Sequence, residues 1–332
     1  MTPTAPPDDR APFGSATNMR FSGHETFAVR YTWIPKAFRY LSHESSSFKD
    51  EENVMVELGL GKNMVRSLRF WLEAFGLAKP SDEGLTLTEF SRAILSPGGL
   101  DPFLEDPKTL WLLHAQLSMR SQDAICAWDV LVNRWNKGEF SKSEAVRAFR
   151  RESERYASKP HSDVTLSQHF DVFIHTYVPT HSRSVGLEET LDCPLKELLL
   201  VEPHGERRNG ADGRRETVYR FNRDPKPEIS APLFEYVIDQ AFAVHKQTES
   251  SRTLRELLYG PYGPGQVLRL PEDDLRVRIE DLAESQPRRY KLQMSAVQMV
   301  LHRSKPVADE SPEERSEIED RLLGAVYSQV SP

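Results

Sequence analysis

Residues 51–95 read EENVMVELGLGKNMVRSLRFWLEAFGLAKPSDEGLTLTEFSRAIL. The run EENVMVEL predicts a short helix over 51–58, because acids in a first turn are held by the partial positive charge of a helix N-terminus. Gly59, Leu60 and Gly61 predict a tight turn, and KNMVRSLRFWLEAFGL a longer second helix. There Val65, Leu68, Leu72 and Phe75 recur at the three-to-four spacing of a buried stripe. Lys62, Asn63, Arg66, Ser67 and Arg69 are assigned to the outer face, with no acid before Glu73. Leu77-Ala78, the turn residues from Pro80 to Gly84, and Leu85 to Thr88 predict a hairpin, followed by a helix over EFSRAIL. Helix, turn, helix, hairpin and helix is the order of a winged helix-turn-helix.

Upstream, RFSGHETFAVR alternates aromatic and polar residues around Gly23 like an extended piece, and 31–41 reads as a helix with Pro35 in its first turn. HESSSFKD is a serine-rich break. Downstream, amphipathic runs at 107–118, 121–136, 141–157 and 163–178 with short joints predict a helical middle. Strands are expected at 198–201 and 218–221 around a long arginine and glycine loop, HGERRNGADGRRE. A helix follows over SAPLFEYVIDQAFAVHK, another starts at Pro271, and RYKLQM is strand-like. Near the C-terminus Ser311, Pro312 and Glu314 stand as N-cap, first helical residue and capping-box partner.

The expected fold class is therefore mainly α: a winged helix-turn-helix module packed on a helical body with short β-hairpins. The expected divisions are a disordered tail (1–18), an N-terminal segment with the winged helix (19–100), a helical middle (101–186), a second helical body with short β pieces (187–305) and an acidic C-terminal helix (306–332).

A chain of 332 residues exceeds the roughly 100–200 of a typical single domain. With 38% hydrophobic and 28% charged residues it is too apolar for general disorder. No stretch reaches the ~18–20 apolar residues that span a bilayer, and MTPTAPPDDRAPF lacks the basic start and apolar core of a secretion signal, so the expected compartment is the cytoplasm. Cys126 and Cys193 are too few for a disulfide framework or a four-cysteine zinc site and read as buried thiols.

The formal charge of −7 argues on its face against a nucleic-acid partner. Location changes that reading: residues 306–332 hold seven acids against Arg315 and Arg321, which leaves the body nearly neutral. Basic residues bunch at Arg20, Arg30, Lys36 and Arg39, at Lys62, Arg66 and Arg69, and at Arg207, Arg208, Arg214 and Arg215. Nucleic-acid affinity follows such local stripes more than net charge. Ordinary solvated faces are the alternative.

The search for an active site returns mostly absences. His-Glu-x-x-His, His-x-His and Cys-x-x-Cys do not occur, and Gly61-Lys62 fails as a phosphate loop because Val56 and Asn63 stand at required Gly and Ser or Thr positions. Gly260, Gly263 and Gly265, broken by two prolines, read as a loop running into a strand rather than a dinucleotide loop opening a helix. Asp106-Pro107-Lys108 and Asp224-Pro225-Lys226 read as turn or helix-start signals. His24 and Glu25 are the candidate catalytic pair, an imidazole acting as base or phosphate donor and a carboxylate orienting it or holding a metal; alternatively both buttress the fold. His169 and His175, six apart, fall on different helix faces.

The helix-turn-helix is the strongest signal. Such a helix inserts its N-terminal polar and basic residues into the major groove: Arg66 and Arg69 to guanine or phosphate, Asn63 to adenine, Lys62 as a point charge. Winged helices also serve as protein–protein modules, and the basic outer face favours DNA.

FSGHETFAVRYTWIPKAF, VELGLGKNMVRSLRFWLEAFGL, LTLTEFSRAIL and DPFLEDPKTLWLLHAQL together resemble a bacterial family long catalogued as a domain of unknown function, whose SspB-type members belong to single-strand DNA phosphorothioation systems. The resemblance runs from about Arg20 to Arg303 and is tightest in the first hundred residues. It implies a DNA-nicking component of antiphage defence, acting beside a cysteine desulfurase, an ATPase and an ATP-pyrophosphatase-like enzyme, with a divalent metal if it nicks. The matching positions Phe21, Gly23, His24, Glu25, Arg30, Gly61 and Arg66 divide between site and scaffold. Two readings follow: a DNA-binding, nicking subunit, or a non-enzymatic winged-helix adaptor that recruits sulfur-transfer partners.

Overall fold

Asp50 opens the fold-determining stretch by accepting a hydrogen bond from the Asn53 backbone N–H at 3.1 Å, which caps the helix Glu51–Leu58. Gly59 ends it in the left-handed region at φ 65°, and Gly61, extended, starts the helix Lys62–Ala74. Strands Ala78–Ser81 and Gly84–Leu87 then pair antiparallel, and Thr88 caps Glu89–Leu95 through the Ser91 N–H. Each of these boundaries follows from a local cap or glycine.

The computed structural model describes residues 18–43, 48–82, 84–179, 193–209, 213–244, 247–295 and 298–328. The expected tail falls, except for Asn18, outside them, as does the centre of the expected arginine loop. In chain order the elements are β1 (Met19–Arg20), α1 (Trp33–Leu41), α2 (Glu51–Leu58), α3 (Lys62–Ala74), β2 (Ala78–Ser81), β3 (Gly84–Leu87), α4 (Glu89–Leu95), α5 (Pro107–Ser118), β4 (Ala124–Ile125), α6 (Cys126–Trp128), β5 (Glu139–Ser141), α7 (Lys142–Tyr156) and α8 (Asp163–Tyr177). There follow β6 (Val201–Arg208), β7 (Arg215–Phe221), α9 (Ala231–Val244), β8 (Ser251–Thr253), α10 (Leu254–Tyr259), α11 (Pro264–Val267), α12 (Glu272–Ser285), β9 (Tyr290–Met294), β10 (Met299–Arg303) and α13 (Pro312–Tyr327). The fold is mainly α with small sheets: the hairpin β2-β3, a parallel pair β1-β4, and two three-stranded sheets ordered β5-β7-β6 and β8-β10-β9. A continuous buried cluster joins Met19, Trp71, Trp111, Trp128, Tyr177 and Val326.

Three expectations need correction. The helix expected over 121–136 is not continuous: Asp123 takes φ 54°, Ala124 and Ile125 pair with Met19 and Arg20, and α6 passes into a wider-wound π-helix over Asp129–Arg134. The carbonyls of its two central residues bond outside the helix, Leu131 O and Val132 O each accepting from Arg269 at 2.8 Å. The arginine loop is shorter than expected, because β6 and β7 continue to Arg208 and from Arg215; the shift of register at Pro203/Glu206, beside Gly205 at φ 89°, bends the hairpin instead of ending it. Finally, Gly263 leads into a one-turn helix, α11, rather than a strand. A Cβ at Gly260, Gly263 or Gly265 would come within 2.6 Å of carbonyl oxygens on α10, so these glycines permit close backbone packing.

The capping box at Ser311 and Glu314 forms as read, and α13 docks on α9 by burying Leu322, Leu323 and Val326. Beneath it Asp239, fully buried, is shared by Arg289, Arg303 and Arg315. Among the described residues no helix is long and apolar enough to cross a membrane.

Candidate nucleic-acid interface

The outer face of α3 is built as its periodicity requires. Val65, Leu68, Leu72 and Phe75 are buried, while Lys62, Asn63 and Arg66 stand in solvent. Ser67 does not join them. It is fully buried, its hydroxyl donating to Phe27 O at 3.4 Å beside the Trp71 indole N–H, which donates to the same carbonyl at 2.9 Å. Position 67 lies one turn before Trp71, so it shares that residue's inward face. A DNA contact by Ser67 is excluded by this packing.

The face is also less positive than its own sequence implies. Glu51, on α2, accepts from Arg66 Nε at 2.7 Å and Nη2 at 3.3 Å, and lies 3.6 Å from Lys62 Nζ. The Arg66 hydrogen bonds hold the Glu51 carboxyl below the usual carboxylate range and raise the guanidinium in turn. Arg69 donates to Glu73 at 3.3 Å and to Gly84 O at 3.4 Å, tying the helix to the hairpin. Asn63 and Lys62, at the start of the helix, are exposed. Of the upstream candidates, Lys36 is exposed on α1, whereas Arg30 lies over the Trp33 ring at 5.7 Å.

His24 is only 4% exposed. Its Nε2 is 2.7 Å from His169 Nδ1, and His169 Nε2 accepts the Ala127 backbone N–H at 2.9 Å. His169 accepts at Nε2 and, as a neutral ring, donates from Nδ1 to His24 Nε2; this tautomer takes the shorter 2.7 Å contact over the 3.4 Å approach of the Thr26 N–H to His24 Nδ1, which then carries the His24 proton. Burial, then the Arg20 charge, lowers the His24 pKa to about 4, and burial drives His169 well below its ordinary value. His24 thus stands as a neutral buried brace with its Nε2 lone pair occupied, unlike the exposed imidazole that acid–base chemistry on a phosphate needs. Glu25 is half-buried and, like Thr26, has positive φ, at 50° and 69°.

The arginines at 207–215 divide. Arg207 is held by Glu144 and by Ser141 Oγ at 2.9 Å, in a network that fastens β6 to the start of α7. Arg215 lies 3.5 Å from Glu206 on the exposed hairpin, where Arg208 and Arg214 are also exposed. Among the described residues no group of three or more His, Cys, Asp or Glu side chains is placed to hold a metal ion.

Sequence reading missed a second basic region: Arg223, Arg255 and Tyr259 meet with Asn136 and Gln266 around one cleft. The only local signal is the four-residue spacing of Arg255 and Tyr259 on α10; Arg223 joins them through tertiary packing.

The profile of a family described as protein of unknown function (DUF4007) matches residues 21–315. Two solved structures are similar over nearly the whole chain. One, titled SspB crystal structure, is 24% identical, with 92% of this chain and 90% of that one covered and a TM-score of 0.73. The other, titled magnesium ion-bound SspB crystal structure, is 25% identical, with 93% and 96% covered and the same TM-score. No curated protein matches the chain.

Proposed function

The chain belongs to the DUF4007 family, and from that membership we propose that it is a DNA-binding subunit of a phosphorothioate-modification antiphage system. The observation that carries the reading is the geometry of α2, its glycine turn, α3 and the β2-β3 hairpin, with Lys62, Asn63 and Arg66 exposed at the start of α3. In this reading the unit is a winged helix: α3 enters the major groove and the hairpin meets the backbone. Glu51 occupies Arg66 and Lys62 in the free protein, so duplex phosphates compete with a carboxylate already in place. The sulfur-transfer enzymes and ATPase of such a system are the proposed partners.

Strand nicking is supported by resemblance. The similar structure is magnesium-bound, whereas the described carboxylates and histidines of this chain do not converge on a metal-holding arrangement. The buried, neutral His24 favours the second reading, an adaptor that presents DNA to its partners. Gel shifts with duplex DNA over several salt concentrations test the binding face: Lys62→Ala/Arg66→Ala/Arg69→Ala should weaken binding and flatten the salt slope by about 0.9 for each phosphate no longer neutralised. Unchanged affinity sinks the assignment. Supercoiled-plasmid relaxation, with and without magnesium or manganese, separates nickase from adaptor.

A further inference from the structure

An open-sided cleft of about 960 Å³ is lined by Arg134, Asn136, Arg223, Arg255, Tyr259 and Gln266, among others. Its guanidiniums are not equivalent. Arg134 is held by Asp129 and, at 3.2 Å, by Glu152. Arg223 and Arg255 have no carboxylate partner among the described residues, and Arg223 reaches only Gln266 Oε1, at 3.5 Å. Behind them Arg269, 1% exposed, donates to that same Gln266 oxygen at 2.8 Å and lies 3.5 Å from the Phe221 ring centre. Its Nη groups donate to carbonyl oxygens and its plane lies on a ring face, with no acid among its hydrogen-bond partners and its Nε unpartnered among the described residues.

Buried positive charge without a counter-ion is costly, and the buried Arg269 shares its Gln266 acceptor with the exposed Arg223, so the two guanidiniums repel. Burial, followed by the Arg223 charge, pulls Arg269 well below the usual guanidinium range, and partial burial lowers Arg223. An anion in the cleft would meet the exposed Arg223 and Arg255, while Glu256, which also lines it, has its carboxylate engaged by the Thr253 N–H and hydroxyl at 2.9 Å each. Beside it Tyr259 is 53% exposed and sits one helical turn from Arg255, so an aromatic surface and two guanidiniums border one concavity.

We propose that this cleft binds a nucleoside phosphate unit, its phosphate against Arg223 and Arg255 and its base on the Tyr259 ring. A free nucleotide and one unit of a nucleic-acid strand share this chemistry. Asn136, exposed on the rim, is placed to bond a base edge. The assignment is independent of α3, because the cleft draws its residues from the end of the π-helix, the segment after β7, α10 and α11.

Fluorescence anisotropy of the full chain with a labelled ten-nucleotide oligothymidylate tests the proposal, with unlabelled ATP, dTMP and inorganic phosphate as competitors. The wild type should bind the oligonucleotide, Arg223→Ala/Arg255→Ala and Tyr259→Ala should each weaken it at least tenfold, and Tyr259→Phe should retain it. Competition by ATP or dTMP identifies a free nucleotide as sufficient; persistence against both identifies the strand; either supports the site. The cleft variants are also measured against duplex DNA in the gel shift that reads α3 and should bind it like the wild type, so failure of the winged-helix reading remains a separate result. Arg255 and Tyr259 are exposed, and matching melting temperatures confirm that their variants fold. The proposal is overturned by a wild type that binds none of these ligands, by cleft variants that bind the oligonucleotide like the wild type, or by inorganic phosphate competing as well as the nucleotides.

Discussion

His24 Nε2 and His169 Nδ1 lie 2.7 Å apart, joining the start of the chain to α8 across 145 positions. Their rings stack at 5.0 Å between centres, with the Phe70 ring edge-on to His24. The pair is held by its neutrality, which makes it sensitive to acid.

Stability should fall as pH drops below the imidazole range. An unfolded histidine takes up a proton near 6.5, while folded His24 does so only at about 4, and so does buried His114, which is lowered by burial. Between those values the unfolded state binds more protons, so acid favours unfolding; above about pH 6.5 these groups are neutral in both states. Each should contribute up to about 1.4 kcal/mol per pH unit within that window. Urea midpoints from pH 7.5 to 5 check this, and a flat profile would contradict it.

His169→Ala should leave the Ala127 N–H and the His24 ring without partners, at about 1–3 kcal/mol for each buried group unpaired. His24→Ala should lower melting temperature, DNA affinity and any nicking together. Loss of nicking alone, with folding and binding intact, would return His24 to the active site.

Glu51→Gln should strengthen duplex binding severalfold, since it removes the carboxylate that engages Arg66 and Lys62 while preserving the side chain's shape. The gain should shrink with added salt. Gel shifts at two ionic strengths measure it, and equal or weaker binding would show that Arg66 does not face DNA.

Gly23→Ala should destabilise the protein by about 1–3 kcal/mol, because φ is +112° there and the new Cβ would lie 2.8 Å from Phe70 Cδ2. Thermal melting of the single variant is sufficient. An unchanged melting temperature would mean that the 21–27 segment repacks freely.

Asp239→Asn should cost about 1–3 kcal/mol by weakening the bonds to Arg289, Arg303 and Arg315, which among the described residues keep only Glu235 and Glu310 as carboxylate partners. Since Arg315 belongs to α13, limited proteolysis should cut near the start of that helix sooner than in the wild type.

The starts of α2, α3, α4 and α13 are legible from the sequence alone. Asp50, Gly59, Gly61, Thr88 and the Ser311-Pro312-Glu314 signal act within a turn or two of themselves, and the Val65, Leu68, Leu72, Phe75 stripe repeats with the helix period, so both can be read without knowing what lies opposite. Tertiary structure decided the charge and reactivity of the candidate residues. Glu51 sits on a different helix from Arg66, Ser67 turned inward toward Phe27 O, His24 met His169, and Arg223 came to line one cleft with Arg255. Even the break at 121–136 came from outside, through pairing with Met19 and Arg20 and the grip of Arg269 on the π-helix carbonyls. Capping and periodicity are short-range along the chain, whereas ion pairing, desolvation and tautomer choice depend on distance through space, which the order of residues does not encode locally.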